Sequence, residues 1–82
     1  MVKRDVAIVV GVGPGLGAAL AHRFVKEGLL VAAAARNLEQ LEPLAKEAGA
    51  RAYQCDAGDE KSVMELFAAV RRDFGDPALA VY

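Results

Sequence analysis

Val6-Ala7-Ile8-Val9-Val10-Gly11-Val12-Gly13-Pro14-Gly15-Leu16-Gly17 joins an uncharged, β-favouring run to a glycine-rich turn, and a helical repeat follows directly. A continuous apolar run of this kind suits a strand buried on both faces. After the turn, Leu16, Leu20 and Phe24 recur at i+4 with Ala21 and Val25 beside them, up to a stop at Gly28. Strand, glycine turn and helix therefore come in immediate succession.

The same alternation continues along the chain. Leu29–Ala35 is a second uncharged run. Its alanines would suit a helix, but seven residues directly after a helix stop favour a strand. Asn37 is placed to cap a second helix, with Gln40 as its capping-box partner. Leu38, Leu41, Leu44, Ala45 and Ala48 form the apolar stripe of that helix, and Gly49 closes it. Pro43 removes a backbone donor past the first turn, which predicts a kink or a late helix start. Ala50–Cys55 reads as a third, weaker strand, and Asp56-Ala57-Gly58-Asp59 as the turn after it. In the third helix Val63, Leu66, Phe67, Val70 and Phe74 share one face, and Gly75-Asp76-Pro77 ends it. Ala78–Tyr82 opens a fourth strand.

The order β-α-β-α-β-α-β with short connections predicts an α/β fold: a parallel sheet with right-handed crossovers, in three layers. It corresponds to the first half of a Rossmann-type domain. Strands one to three then add in one direction, the fourth crosses to the far side of the first, and ligand is expected in the crevice between strands one and four. The chain reads as one dinucleotide-binding domain over residues 1–82, truncated after the start of strand four, without repeats or linkers.

Composition narrows the function classes. Hydrophobic residues make up 55% of the 82, so a core is intended, but seventeen of them are alanines and the core is thin for its apolar count. Ten basic and eleven acidic side chains leave a net charge of −1, which is no footprint for nucleic acid or an anionic membrane. Cys55 is the single cysteine, so neither an internal disulfide nor a cysteine metal site is spelled out, and a cytoplasmic setting is expected. Lys3 and Arg4 before the uncharged run Val6–Ala21 imitate a signal peptide, but four glycines and Pro14 break the apolar helix such a signal needs. No other run approaches the ~18 apolar residues of a membrane span.

The glycine turn carries the chemistry. Between a strand and a helix, glycines let the backbone reverse sharply and approach a pyrophosphate, while the first-turn N–H groups and the helix dipole face its charge. Gly13-x-Gly15-x-x-Ala18 matches the general dinucleotide fingerprint. Gly11-x-x-x-Gly15-x-Gly17 begins directly at the strand end and is the preferred register.

With these motifs the chain resembles the N-terminal part of a short-chain dehydrogenase/reductase. The resemblance includes Ala34-Ala35-Arg36-Asn37 after strand two, Cys55-Asp56-Ala57 after strand three and Leu79-Ala80-Val81-Tyr82 in strand four. It implies an NAD(P)-dependent oxidoreductase with a small-molecule substrate, expected as a homo-oligomer, with Asp56 packing by the adenine. Two positions depart from the family: Val10 stands where a threonine is common, and Pro14 where a serine or basic residue is common. Both reduce side-chain help to the phosphates.

The residues expected to hold the cofactor are Gly11, Gly13, Pro14, Gly15, Leu16 and Gly17 in the turn, Arg36 and Asn37 after strand two, and Asp56 and Ala57 after strand three. NAD-selective sites place a carboxylate about twenty residues past the glycines. Here that position is Ala35, followed by Arg36, whose guanidinium can fork onto a 2′-phosphate. NADP is therefore expected ahead of NAD. The missing carboxylate also counts against an S-adenosylmethionine site.

His22 reads as a surface residue and Cys55 as a small buried hydrophobe. No catalytic residue is expected within these 82. The family's Tyr-x-x-x-Lys is absent, because Tyr53 is followed at the fourth position by Ala57, and Ser62 lies in the third helix. The sequence thus predicts the cofactor half of an oxidoreductase about three times as long. A stand-alone nucleotide-binding or vestigial module without turnover is the alternative.

Overall fold

The computed structural model describes residues 5–11 and 15–81. Four strands and three helices alternate: β1 (Val6–Val10), α1 (Leu16–Lys26), β2 (Leu30–Ala35), α2 (Leu38–Ala48), β3 (Arg51–Gln54), α3 (Glu60–Asp73) and β4 (Leu79–Val81). All strand pairs are parallel and the sheet order is β3-β2-β1-β4. This is the α/β, Rossmann-type half domain expected, with β4 on the far side of β1.

Alternation along the central strands explains the layers. In β1, Val6, Ile8 and Val10 turn to one face of the sheet and pack with Ala32, Ala34, Cys55 and the α3 residues Leu66 and Val70. Val9 turns to the other face, with Val31, Ala33, Ala21 of α1, and Leu41, Ala45 and Ala48 of α2. Both faces of β1 are buried along its whole length, which is why no polar residue interrupts it. The α1/α2 layer and the α3 layer thus lie on opposite faces, as right-handed crossovers require. Cys55 is fully buried in the α3 layer and His22 is exposed on α1.

Helix α2 corrects one expectation. It begins at Leu38 and runs through Pro43 to Ala48, so there is no late start. The Asn37 side chain accepts from the Gln40 N–H at 3.2 Å and fixes the first turn. Pro43 and Glu39 are both exposed, so water is within reach of the Glu39 segment where the Pro43 N–H is missing, and the helix continues.

A polar tie holds the outer strand to α3. The Tyr53 hydroxyl on β3 donates to Asp73 Oδ2 at 2.7 Å, and Arg72 and Arg51 pair with the same carboxylate at 3.2 and 3.7 Å. Burial, and then the bond to Asp73, push the Tyr53 phenol up from 10.0 to about 12. The Tyr53 hydroxyl and then Arg72 hold the Asp73 carboxyl below its ordinary range. Because the folded chain favours the neutral phenol, the tie is intact below pH 10 and is lost as pH rises from 10.0 towards about 12. In an ultraviolet titration of tyrosinate, Tyr53→Phe is expected to remove the late transition, and Asp73→Asn to move it down in pH. A Tyr53 transition near 10 in the parent chain would contradict the tie.

Candidate functional site

The carboxyl ends of β1, β2 and β3 finish side by side. The Gly11 N–H donates to the Ala34 carbonyl at 2.8 Å and the Cys55 N–H to the Ala35 carbonyl at 2.9 Å, so each ladder runs one rung past the strand. Gly11 then leaves β1 with φ +84, a left-handed backbone that an L side chain adopts only at about 1–2 kcal/mol. Three turns diverge from this line towards α1, α2 and α3.

Between them lies a recess of about 570 Å³, within the roughly 300–1,000 Å³ typical of ligand pockets. Gly11, Ala35, Arg36, Asn37, Asp56 and Ala57 line it together with Gly58 and Cys55. The Gly11, Arg36, Asn37, Asp56 and Ala57 positions singled out in the sequence thus meet in one place, although they come from three separate turns. Gly15 caps α1 and Gly17 lies in its first turn, outside the recess, and Leu16 is the first residue of that helix. Gly13 and Pro14 lie outside the described residues. The recess sits on the β2/β3 side of β1, whereas the sequence pointed to the crevice between the first and fourth strands.

Sequence reasoning missed one wall. Gln40, Leu41 and Leu44 of α2 close the recess. The sequence assigns Gln40 to the helix cap and Leu41 and Leu44 to the core stripe, yet all three line the recess at the strand ends. Leu41 is buried and Leu44 half-buried, giving an apolar surface opposite the polar turn residues.

Local hydrogen bonds shape the acidic turn. Asp56 Oδ1 accepts from the Gly58 N–H at 2.9 Å, leaving the second carboxylate oxygen uncommitted among the described residues. The Asp56 N–H donates to Ser62 Oγ at 2.9 Å, so the one serine anchors this turn to α3. Asp59 caps α3, accepting from the Lys61 N–H at 3.0 Å. On the other side, neither Arg36 nor Asp56 enters an ion pair among the described residues. Arg36 is an exposed cation at the mouth of the recess.

These groups suit a dinucleotide. The first turn of α1 holds no acid and its N-cap Gly15 offers no side-chain partner, so its positive end is uncompensated by side chains. A Cβ added at Gly15 would meet no described atom within 4 Å. Apolar walls for a flat base, one carboxylate and one guanidinium without an ion-pair partner among the described residues complete the set. Among the described residues no cluster of metal-ligating side chains occurs, and no helix is long and apolar enough to cross a membrane.

Comparison with known proteins agrees with this architecture. The family model described as short chain dehydrogenase matches residues 5–79. Dehydrogenase/reductase SDR family member 11 of Gallus gallus is 33% identical over 73 residues, covering 80% of this chain and 29% of that protein. The NADP-dependent (R)-specific alcohol dehydrogenase of Lentilactobacillus kefiri is 39% identical over 77 residues, covering 89% of this chain and 31% of its own length. The 3-ketoacyl-(acyl-carrier-protein) reductase of Brucella melitensis, solved in complex with NADH, superposes with a TM-score of 0.86 at 31% identity, over 93% of this chain and 32% of that one. The chain spans about three tenths of the length of the curated relatives it matches. Among these relatives, one is named for NADP and another was solved with NADH. The family match over residues 5–79 and the shared sheet and helix order place this chain in the short-chain dehydrogenase/reductase family of NAD(P)-dependent oxidoreductases, as its N-terminal portion.

Proposed function

We propose that these residues hold the adenine end of NADP for a short-chain oxidoreductase acting on a small molecule, in an enzyme that assembles from copies of itself. The observation that carries the reading is Arg36. It stands at the mouth of the recess without an ion-pair partner among the described residues, directly after Ala35, where a carboxylate would select NAD. In this reading the first turn of α1 faces the pyrophosphate, Asp56 and the apolar wall of α2 flank the adenine, and Arg36 meets the 2′-phosphate. When bound, the cofactor's nicotinamide supplies or takes up the hydride.

Titration of the full-length protein with NADPH and NADH tests the reading. NADPH is expected to bind the more tightly, and equal affinities or a preference for NADH would refute it. The 82 residues contain no Tyr-x-x-x-Lys pair. Purified as a separate polypeptide they are expected to show no NADPH oxidation above background with a panel of aldehydes and ketones. Turnover by this polypeptide would mean that its own side chains supply a proton donor unlike the family's.

A further inference from the structure

Arg36 occupies a single-residue link. Ala35 before it ends β2, and Asn37 after it caps α2. The sheet ladder holds the Ala35 carbonyl through the Cys55 N–H. One residue on, the Asp56 N–H donates to Ser62 Oγ. Successive β2 carbonyls face opposite neighbours, Ala34 towards β1 and Ala35 towards β3, so the backbone of β3 offers the Arg36 carbonyl no ladder donor.

Gln54 supplies one. It is the last residue of β3, in register with Ala35, and its Nε2 donates to the Arg36 carbonyl oxygen at 3.1 Å. The bond adds a side-chain tie from the end of β3 to the link that follows β2. Gln54 also walls two further recesses beside Arg36. One is shared with Glu39, the other with Asp56, Ser62 and Glu65. Each therefore brings a carboxylate-bearing residue near Arg36, yet among the described residues no ion pair with Arg36 forms. A backbone free to rock at Arg36 would let the guanidinium turn to Glu39 or Glu65 and lose its aim.

We infer that Gln54 is a positioning residue for cofactor choice: by fixing the Arg36 carbonyl it aims the guanidinium at the phosphomonoester on the ribose 2′-oxygen. This rests on the reading of Arg36 given above. Gln54 acts through Arg36 and not on the part of the cofactor that NADP and NAD share.

The test is a double-mutant cycle in the full-length protein, reading NADPH and NADH affinities and thermal midpoints for Gln54→Ala, Gln54→Glu, Arg36→Ala and the Gln54→Ala/Arg36→Ala pair. Loss of one neutral hydrogen bond predicts about a three- to tenfold weaker NADPH affinity for Gln54→Ala. NADH affinity stays within about twofold and the midpoint is unchanged, because Gln54 is exposed and the 2′-phosphate is absent from NADH. Gln54→Glu keeps the shape but not the donor, and weakens NADPH at least as much. In the Arg36→Ala background the Gln54→Ala effect disappears. Equal loss of both cofactors, or the same NADPH loss with and without Arg36, overturns the inference. If Arg36→Ala shifts the NADPH/NADH ratio and Gln54→Ala does not, the inference alone fails. If Arg36→Ala leaves the ratio unchanged, the reading of Arg36 itself fails.

Discussion

Arg36→Asp is expected to shift cofactor preference from NADP towards NAD by about 2–4 kcal/mol, the loss of one charge-assisted contact together with a new repulsion. That corresponds to roughly 30- to 1,000-fold in the ratio of affinities. The size follows from what surrounds the residue. No carboxylate among the described residues neutralises Arg36, so its charge is not already committed to the protein. Its backbone is bracketed by a strand end and a helix cap, so the replacement carboxylate is held at the same mouth. There it opposes a 2′-phosphate and can accept from a ribose hydroxyl. Added salt discriminates further: in the parent protein NADPH affinity should fall with ionic strength more steeply than NADH affinity, and Arg36→Asp should remove the excess. Ala35→Asp is a second route, because Ala35 is half-buried and lines the recess. Titration of both cofactors against both variants measures the effect, and an unchanged ratio removes Arg36 from the site.

The layers were legible because burial leaves a periodic mark. β1 is buried on both sides, and an uncharged run such as Val6–Val10 has no other use in a chain with 26% charged residues. Glycine marks the sharp exit at Gly11 for a steric reason that any sequence displays. The turn residues Arg36, Asn37, Asp56 and Ala57 were locatable because parallel strands of similar length place their carboxyl ends at one edge. What stayed hidden was side-chain bonding between elements. Gln54 to the Arg36 carbonyl spans eighteen positions and Tyr53 to Asp73 spans twenty, and neither leaves a repeat in the sequence. The sequence places Ser62 in the third helix, away from any catalytic position, and assigns it no role. Its structural job, accepting the Asp56 N–H, depends on how α3 folds back over its own preceding turn. The late start expected at Pro43 does not occur, because the penalty of a missing donor depends on access to water, and the exposure of Glu39 and Pro43 is a tertiary fact.

The 82-residue polypeptide, isolated, is expected to self-associate and to unfold broadly. Its two sheet faces are covered unequally. α1 and α2 together close one face, while α3 alone serves the other, with Leu66 and Val70 as its fully buried side chains. Val63, Phe67 and Phe74 remain only partly buried against that face, as do Leu30 and Tyr53 from the sheet. Parallel strands need both faces covered, and here one helix serves a whole face. Much of the central packing is alanine: Ala32, Ala33 and Ala34 are each wholly inaccessible, yet none offers more than a methyl group. Little surplus is left against the conformational entropy of ordering the chain. β4 adds an edge. It pairs with β1, but among the described residues its other side has no neighbour, and Leu79 is 40% exposed beside an exposed Ala80. An uncharged open edge is a template for a second chain. Sedimentation should therefore show dimers or larger species that grow with concentration, and Leu79→Lys should reduce them by placing a charge on the edge. A monomer with a sharp thermal transition would mean that α3 alone protects its face, and that alanine packing supplies more stability than its area implies.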